Sequence, residues 1–328
     1  MELFLFPALF ILPLTAAAYI CYRLVFVVPP EKKNADAHDI PENLHYGDQA
    51  GKIHTLVSDA MKLDCEDVYV QSRDNLKLHG RLYHVSDDAP TEILFHGYKS
   101  IAIRDFCGGL QLALKAGHNA LLVDQRAHGQ SEGKALSFGI LERYDCMSWI
   151  GYIRERFGEN RKIILVGISM GAATVLQAGG LPLPENVAGI IADSGYTAPA
   201  DIIRKVAADR HLPAELIYPL IRWGGRIFGG FDIEEDSAEK AMERCHIPVL
   251  FIHGESDGFV PCEMGRRNYT ACSGKKVLVT FPGAEHGLSY LVDPERYSRT
   301  VSAFLDDILN GIPFILRNGH KKTKDQHC

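Results

Sequence analysis

The chain has 328 residues, of which 46% are hydrophobic and 23% charged, and this composition excludes a disordered polymer and a wholly membrane-embedded bundle. Its formal net charge of −6 argues against nucleic acid as a partner, because no basic surface is available to neutralise phosphates. The 8 cysteines form no C-x-x-C pair and no regular framework, which argues against a zinc site or a disulfide scaffold.

The N-terminal segment has the length and composition of a membrane-spanning helix. No charged side chain occurs from Leu3 to Tyr22, and about 20 helical residues span a bilayer core. Residues 1–28 are therefore predicted to form a single-pass membrane anchor, with a cleaved signal peptide or a hydrophobic packing helix as alternatives. Because Arg23, Lys32 and Lys33 lie after this segment, the positive-inside rule predicts a cytoplasmic catalytic domain, with an extracytoplasmic one as the alternative.

Composition divides the remaining chain into three parts. Residues 29–64 are polar and broken by prolines, which predicts a linker that leads into a short helix. Residues 65–310 are predicted to form the catalytic domain, and residues 311–328 a solvated basic tail.

The central part alternates between apolar strands and helical patterns. Two segments, 67–71 and 76–85, predict a hairpin, and helices are predicted over 139–157 and 294–309. Short apolar runs, typical of strands buried on both faces, occur at 92–95, 120–124, 162–166, 188–192, 249–253 and 276–281. This alternation predicts a mostly parallel twisted sheet covered by helices on both faces, with ligands bound beyond the carboxyl ends of the strands.

One of these strand ends carries a nucleophile motif. The strand 162–166 runs into Gly-Ile-Ser169-Met-Gly, and a helical pattern follows at once. G-x-S-x-G between a strand and a helix predicts a sharp turn that holds a serine hydroxyl above the sheet. Ser169 is therefore the predicted nucleophile.

A serine nucleophile needs a histidine base and an acid that orients it, and in this arrangement the acid precedes the histidine. His286 follows the last predicted strand, whereas the histidines further along belong to the tail. Asp257 follows the strand 249–253 and is the predicted acid, with Asp193 and Glu255 as alternatives.

An oxyanion formed during acyl transfer needs two backbone N–H donors. Met170, directly after the nucleophile, is predicted to supply the first donor, and Tyr98, after the strand 92–95, the second. His96 is predicted to order this turn rather than to act as a base.

These motifs together resemble α/β-hydrolase fold serine hydrolases, in particular the bacterial branch similar to monoacylglycerol lipases and serine aminopeptidase-like hydrolases. The resemblance covers about residues 65–310 and includes Asp124-Gln-Arg-Ala-His-Gly-Gln-Ser131, which is similar to the family's D-x-R-x-x-G-x-S turn. In that family the turn is structural, so the resemblance gives Arg126 and His128 no catalytic role.

The connection between the strands at 188–192 and 249–253 is long enough to hold a separate cap. Its apolar residues predict two or three helices over the serine at about residues 197–245, and glycine pairs predict that part of this cap moves. Three apolar cap residues, Trp223, Ile227 and Phe228, are predicted to contact an acyl or aromatic group of the substrate.

The predicted function is hydrolysis of carboxylic esters through a Ser-His-Asp triad and an acyl-enzyme. The predicted partners are a small-molecule acyl substrate and a membrane bound by the N-terminal segment, with no cofactor and no metal. An amide or peptide hydrolase and an acyltransferase use the same triad and remain alternatives. A membrane-tethered binding protein without turnover is a more distant one.

Overall fold

One sheet of eight strands organises residues 5–33, 35–40 and 47–314, the part of the chain that the computed structural model describes. The strands are β1 Glu66–Gln71, β2 Lys77–Tyr83, β3 Thr91–Phe95, β4 Asn119–Val123, β5 Ile163–Ile168, β6 Val187–Asp193, β7 Val249–Gly254 and β8 Lys276–Phe281. Their spatial order is β1-β2-β4-β3-β5-β6-β7-β8. Strand β2 pairs antiparallel with β1 and β4, and all other pairs are parallel. The predicted α/β-hydrolase fold is confirmed.

Helices cover both faces of this sheet. They are α1 Leu5–Val25, α2 Pro30–Lys33, α3 Ala50–Ala60, α4 Ala102–Asp105, α5 Cys107–Lys115, α6 Glu142–Phe157, α7 Met170–Gly179, α8 Pro199–Asp209, α9 Ala214–Gly224, α10 Ala238–Met242, α11 Cys262–Ala271, α12 Ser289–Val292 and α13 Pro294–Asn310. A π-helical turn, Gly225–Gly229, follows α9. All side chains of β3 and β4 are buried, because these neighbouring strands lie inside the sheet and are covered on both faces.

Two helix boundaries show how local chemistry sets the ends of an element. Helix α6 begins at Glu142, three residues after the predicted start, because the Glu142 carboxylate accepts hydrogen bonds from the backbone of Ser137 and Gly139 just before the helix. Helix α13 begins at Pro294, as predicted, and the Asp293 side chain caps it by accepting a hydrogen bond from the Arg296 N–H at 3.0 Å.

Helix α1 packs on the protein. Ala18 is completely buried, and a Cβ atom on Gly224 of α9 would lie 2.5 Å from the Ala18 carbonyl oxygen. Phe26 is also completely buried, and its ring centroid lies 5.1 Å from that of Phe231. The chain after α1 then joins the catalytic domain through a hydrogen bond of 3.1 Å from the Val28 N–H to the Lys134 carbonyl.

The prediction of a single-pass membrane-anchored protein is therefore wrong. Among the residues that the structure describes, no helix combines the length and the apolar character needed to cross a membrane. Part of the uncharged segment packs on the protein instead, since Ala18 is buried against α9, whereas Leu12 and Ile20 of the same helix remain exposed.

The segment predicted as a linker is partly ordered on the core. Helix α3 lies in it and buries Ile53, Val57 and Ala60 against the helices next to β3 and β4. Residues 34 and 41–46 of this segment, and residues 315–328 of the predicted tail, lie outside the described residues.

Candidate active site

Ser169 stands at a sharp turn between β5 and α7. Its φ angle is 57°, in the left-handed region that a non-glycine residue rarely adopts. The flanking glycines make this turn possible, because a Cβ on Gly171 would lie 1.7 Å from the Phe95 carbonyl oxygen. A Cβ on Gly167 would lie 2.2 Å from the Gly171 carbonyl oxygen. The backbone at Gly171 therefore approaches the backbone of Phe95 more closely than a residue with a Cβ atom would allow.

The structure brings Ser169, His286 and Asp257 together in one hydrogen-bonded line. The Oγ of Ser169 lies 2.8 Å from Nε2 of His286, and Nδ1 of the same ring lies 2.7 Å from Oδ2 of Asp257. An ionised carboxylate only accepts hydrogen bonds, so Nδ1 of a neutral imidazole donates to Asp257 and Nε2 is left to accept the serine proton. This geometry is that of a base poised to deprotonate a hydroxyl.

Asp257 is held as an anion by its surroundings. Burial by itself raises its pKa, but hydrogen bonds with His253 and His286 outweigh burial and hold the pKa well below its ordinary value. Its Oδ1 also accepts the backbone N–H groups of Phe259 at 3.0 Å and Val260 at 2.7 Å. The carboxylate therefore stays ionised and fixed in orientation across the neutral pH range.

The two alternative acids make other contacts. Asp193 accepts a hydrogen bond of 2.9 Å from the Ser194 hydroxyl, and burial raises the pKa of Asp193 to about 6. Glu255 accepts a hydrogen bond of 2.6 Å from Thr280 at the exposed edge of β8. Asp257 is the carboxylate that contacts His286.

Asp193 and Ser194 link Ser169 to the loop that carries His286, a connection that sequence reasoning missed. The Asp193 carbonyl accepts the Ser169 N–H at 2.8 Å, and the Ser194 hydroxyl oxygen accepts the Gly287 N–H at 3.3 Å. Ser194 has a φ angle of 57°, so it occupies a strained conformation next to the site. An Asp-Ser-Gly sequence at the end of β6 is the local signal for such a turn.

The turn that carries Tyr98 lies against Ser169. A Cβ on Gly97 would be 3.7 Å from Oγ of Ser169. The Gly97 N–H donates to Asp105 at 2.8 Å, and His96 is buried with Nδ1 2.8 Å from the Gly97 carbonyl and Nε2 accepting the Gln125 N–H at 3.1 Å. Both nitrogens of His96 thus hold the turn in place.

The same turn is bound to the end of α1. The Tyr98 hydroxyl donates to the Val25 carbonyl at 2.7 Å, and the Lys99 ammonium donates to the Leu24 carbonyl at 3.0 Å. Burial raises the pKa of Tyr98 well above its ordinary value, so the hydroxyl remains a donor. These contacts join residues separated by more than 70 positions in the chain.

Arg126 and His128 make buried contacts away from the nucleophile. Arg126 forms ion pairs with Asp145 at 2.7 Å and with Asp74 at 3.0 Å. The ring of His128 bonds the Arg126 carbonyl at 2.9 Å, and burial lowers the pKa of His128 to about 3, so the ring stays neutral.

A cavity of about 650 Å³ opens beside Ser169 and His286. Its apolar wall comes from α4, α5, the strand end of β5 and the region of α12, and includes Phe106, Ile168, Leu288 and Leu291. Sequence reasoning missed these residues, because they come from separate segments with no shared motif.

The three cap residues predicted to contact substrate lie elsewhere and do not line this cavity. The ring of Phe228 packs on α1, with its centroid 5.0 Å from that of Tyr19. Trp223 and Ile227 remain 50% and 58% exposed. Helix α1 packs where the substrate was predicted to contact these cap residues. The structure therefore does not bring them to Ser169, Asp257 and His286.

The described ranges contain no group of three or more His, Cys, Asp or Glu side chains placed to hold a metal ion.

Comparison with known proteins identifies the family to which this chain belongs. The family model of the α/β hydrolase family matches residues 93–300, and the chain belongs to that family. A Bacillus subtilis (strain 168) protein, the uncharacterized YqkD, is 30% identical over 229 residues, which cover 69% of this chain and 75% of YqkD. Protein bem46 of Schizosaccharomyces pombe is 25% identical over 74% of this chain and 77% of its own length.

Solved structures share the fold. The Pyrococcus furiosus esterase Pf2001 superposes with a TM-score of 0.64 at 23% identity, over 87% of this chain and 98% of that chain. A protein bound to ferulic acid, Est1E from Butyrivibrio proteoclasticus, superposes with a TM-score of 0.57 at 19% identity, over 74% of this chain and 99% of that chain. At these identities the similarity establishes the fold alone.

Proposed function

We propose that the protein is a serine hydrolase that cleaves carboxylic esters, with Ser169 as nucleophile, His286 as base and Asp257 as the acid that orients the imidazole. The observation that carries this proposal is the line of hydrogen bonds from Ser169 Oγ to His286 Nε2 at 2.8 Å and from His286 Nδ1 to Asp257 Oδ2 at 2.7 Å. A serine hydroxyl needs such a base to become nucleophilic, and the base needs a fixed tautomer.

The reaction begins with attack of Ser169 Oγ on the acyl carbonyl of the ester. His286 Nε2 takes the serine proton, and the backbone N–H groups of Met170 and Tyr98 donate to the oxygen that becomes negative. His286 then gives the proton to the departing alcohol, which leaves an acyl-serine. Water attacks this acyl-serine with His286 again as base, and the carboxylic acid and free Ser169 are released.

The ionised Asp257 favours this sequence at two points. It keeps the proton on Nδ1, so that Nε2 faces Ser169 with a lone pair. It also stabilises the imidazolium that forms after the proton transfer, because an opposite charge lies 2.7 Å from Nδ1.

A fluorophosphonate probe tests the nucleophile directly. We expect the wild-type protein to be labelled at Ser169, and Ser169→Ala to lose both labelling and hydrolysis of p-nitrophenyl acyl esters, with kcat lower by about 10⁶. Ser298→Ala on α13 is the control and keeps both. No labelling of the wild type, or equal labelling of Ser169→Ala, would contradict the assignment.

A parallel assay separates ester from amide chemistry. The same preparation is offered p-nitrophenyl acyl esters of increasing chain length and aminoacyl-naphthylamides. We expect turnover of the esters; turnover confined to the naphthylamides would instead identify an amide hydrolase.

A further inference from the structure

The cavity beside Ser169 has a positively charged side that the proposed ester chemistry does not use. Lys99 and Arg210 both line it, together with the nucleophile and His286. Lys99 comes from the turn after β3, whereas Arg210 directly follows α8 of the cap region. Two segments far apart in sequence therefore bring cations to the same cavity.

Lys99 is held in place next to the nucleophile. Gly97, two residues before it, approaches Ser169 as described, and Lys99 itself has a φ angle of 48° in the left-handed region. Its ammonium donates one hydrogen bond, to the Leu24 carbonyl at 3.0 Å, and lies 5.0 Å from the centroid of the Tyr98 ring. An ammonium has three N–H donors. The bond to Leu24 therefore orients Lys99 and leaves other N–H groups able to bind a ligand.

The charge next to Lys99 is another cation. Burial, together with the positive charge of Arg210, lowers the pKa of Lys99 to about 8. Arg222 in the same cap region is different, because it forms ion pairs with Asp232 and Glu234. Unlike that arginine, Lys99 and Arg210 form no ion pair with a carboxylate within the described part of the chain.

The acidic residues that line the cavity are engaged elsewhere or stand at its outer edge. Asp105 accepts hydrogen bonds from the Gly97 N–H at 2.8 Å and the Ser100 hydroxyl at 2.5 Å. Asp193 accepts the Ser194 hydroxyl, and the remaining two, Glu31 and Asp39, are exposed. An anion that enters the cavity would relieve the repulsion between Lys99 and Arg210.

We propose that Lys99 and Arg210 bind an anionic group of the substrate, a carboxylate or a phosphate, while the ester carbonyl lies at Ser169. This inference rests on the proposed function and names the substrate class for the same site. Apolar residues such as Phe106 and Leu291 line the rest of the cavity, which fits a short hydrocarbon chain between the ester and the anion. Hydrogen bonds between ionised partners are stronger than neutral ones, so the charged end contributes to both binding and orientation.

Two p-nitrophenyl esters, one with a charged and one with a neutral far end, test this through release of p-nitrophenol. One is the mono-p-nitrophenyl ester of glutaric acid, which carries a free carboxylate, and the other is its neutral methyl ester. We expect wild-type kcat/KM to favour the charged substrate, and Lys99→Gln and Arg210→Gln each to lower the ratio of charged to neutral kcat/KM by roughly tenfold. Increasing salt should lower the wild-type ratio as well.

Lys115→Gln provides the matched control, because Lys115 is exposed at the end of α5 and does not line the cavity. It should leave the ratio unchanged. Arg210→Gln is the second variant because it leaves the bond from Lys99 to Leu24 intact. Inorganic phosphate and acetate, tested as inhibitors of neutral-ester hydrolysis, show which anion the site prefers.

The outcomes separate the inference from the function on which it rests. Hydrolysis of the neutral ester together with a charge ratio that neither variant changes overturns the anion site and leaves the esterase intact. Hydrolysis of neither substrate overturns both. A ratio that falls in both variants and stays constant in Lys115→Gln supports the assignment.

Discussion

In the proposed mechanism the nucleophile turn, residues 167–171, and the oxyanion turn, residues 96–100, act on the same substrate carbonyl, but they are held by different means. The nucleophile turn depends on close backbone contact, since Gly171 meets the carbonyl of Phe95 with no space for a Cβ atom. The oxyanion turn depends on side chains that reach distant segments, such as the Tyr98 hydroxyl bound to Val25. The nucleophile turn is therefore packed against a neighbouring strand of the sheet, whereas the oxyanion turn is also bound to α1, outside the sheet.

The contacts of the oxyanion turn involve the N-terminal helix α1. The last carbonyls of α1 accept hydrogen bonds from Tyr98 and Lys99, and carbonyls at a helix C-terminus otherwise lack partners. The carbonyl groups at the end of α1 thus gain hydrogen-bond partners, and these bonds hold the turn that carries the proposed oxyanion donor. The nucleophile turn instead contacts other strands of the sheet, since the Ser169 N–H donates to the Asp193 carbonyl at the end of β6.

The largest effect is expected where the nucleophile turn is broken. Gly171→Ala places a Cβ atom 1.7 Å from the Phe95 carbonyl oxygen, so backbone must move, and we expect a loss of more than about 4 kcal/mol in the free energy of unfolding. Urea denaturation followed by circular dichroism measures this. Gly151→Ala on α6 is the control, because nothing lies within 4 Å of the added Cβ, and it should be neutral or stabilising by up to about 1 kcal/mol. Equal stability of the two variants would contradict the steric account.

Asp257→Asn leaves both turns in place and removes the charge that orients His286. We expect kcat to fall by about 10⁴ with little change in KM, because the amide favours the wrong imidazole tautomer. Asp193→Asn is the matched control and should keep most of the activity, since Asp193 contacts Ser194 instead of His286. Loss of activity in Asp193→Asn alone would move the acid to the earlier strand.

Tyr98→Phe loosens the oxyanion turn without touching its backbone N–H. Removal of the hydrogen bond to Val25 should lower kcat about three- to tenfold and weaken inhibition by a trifluoromethyl ketone by a similar factor, while KM stays nearly constant. A trifluoromethyl ketone forms an oxyanion on the serine, so its affinity reports on that turn.

The control for Tyr98→Phe is Tyr218→Phe, which removes a hydroxyl that donates to Glu234 at 2.8 Å within the cap. It should alter stability only. If both variants change inhibitor affinity equally, the contact between α1 and the oxyanion turn has no specific role.

A separate effect concerns pH and the stability of the strand end next to the nucleophile turn. Burial raises the pKa of Asp193 from 3.8 to about 6, so the folded protein binds a proton at this site more tightly than the unfolded chain does. The free energy of unfolding should therefore fall as pH rises from about 4 to 6. Asp193→Asn should flatten that part of the profile, measured by urea denaturation at each pH; an identical slope in both proteins would contradict the assignment.

The sequence alone determined the sheet and the nucleophile turn, because both depend on local rules. Runs of apolar residues predict buried strands, and Gly167 and Gly171 around Ser169 predict a turn that only small residues permit. The order of Asp257 and His286 along the chain, each after a strand, was enough to propose which side chains meet Ser169.

Tertiary structure decided what each segment packs against. The uncharged stretch before Arg23 has a composition that suits either a helix facing lipid or a helix facing protein. Only its packing against α9 distinguishes these two possibilities. The cavity wall and the proximity of Lys99 to Arg210 likewise arise between segments far apart in sequence. The hydrophobic effect has no preferred direction. Apolar residues in a sequence therefore indicate that a segment is buried, but the tertiary fold decides which other segment covers it.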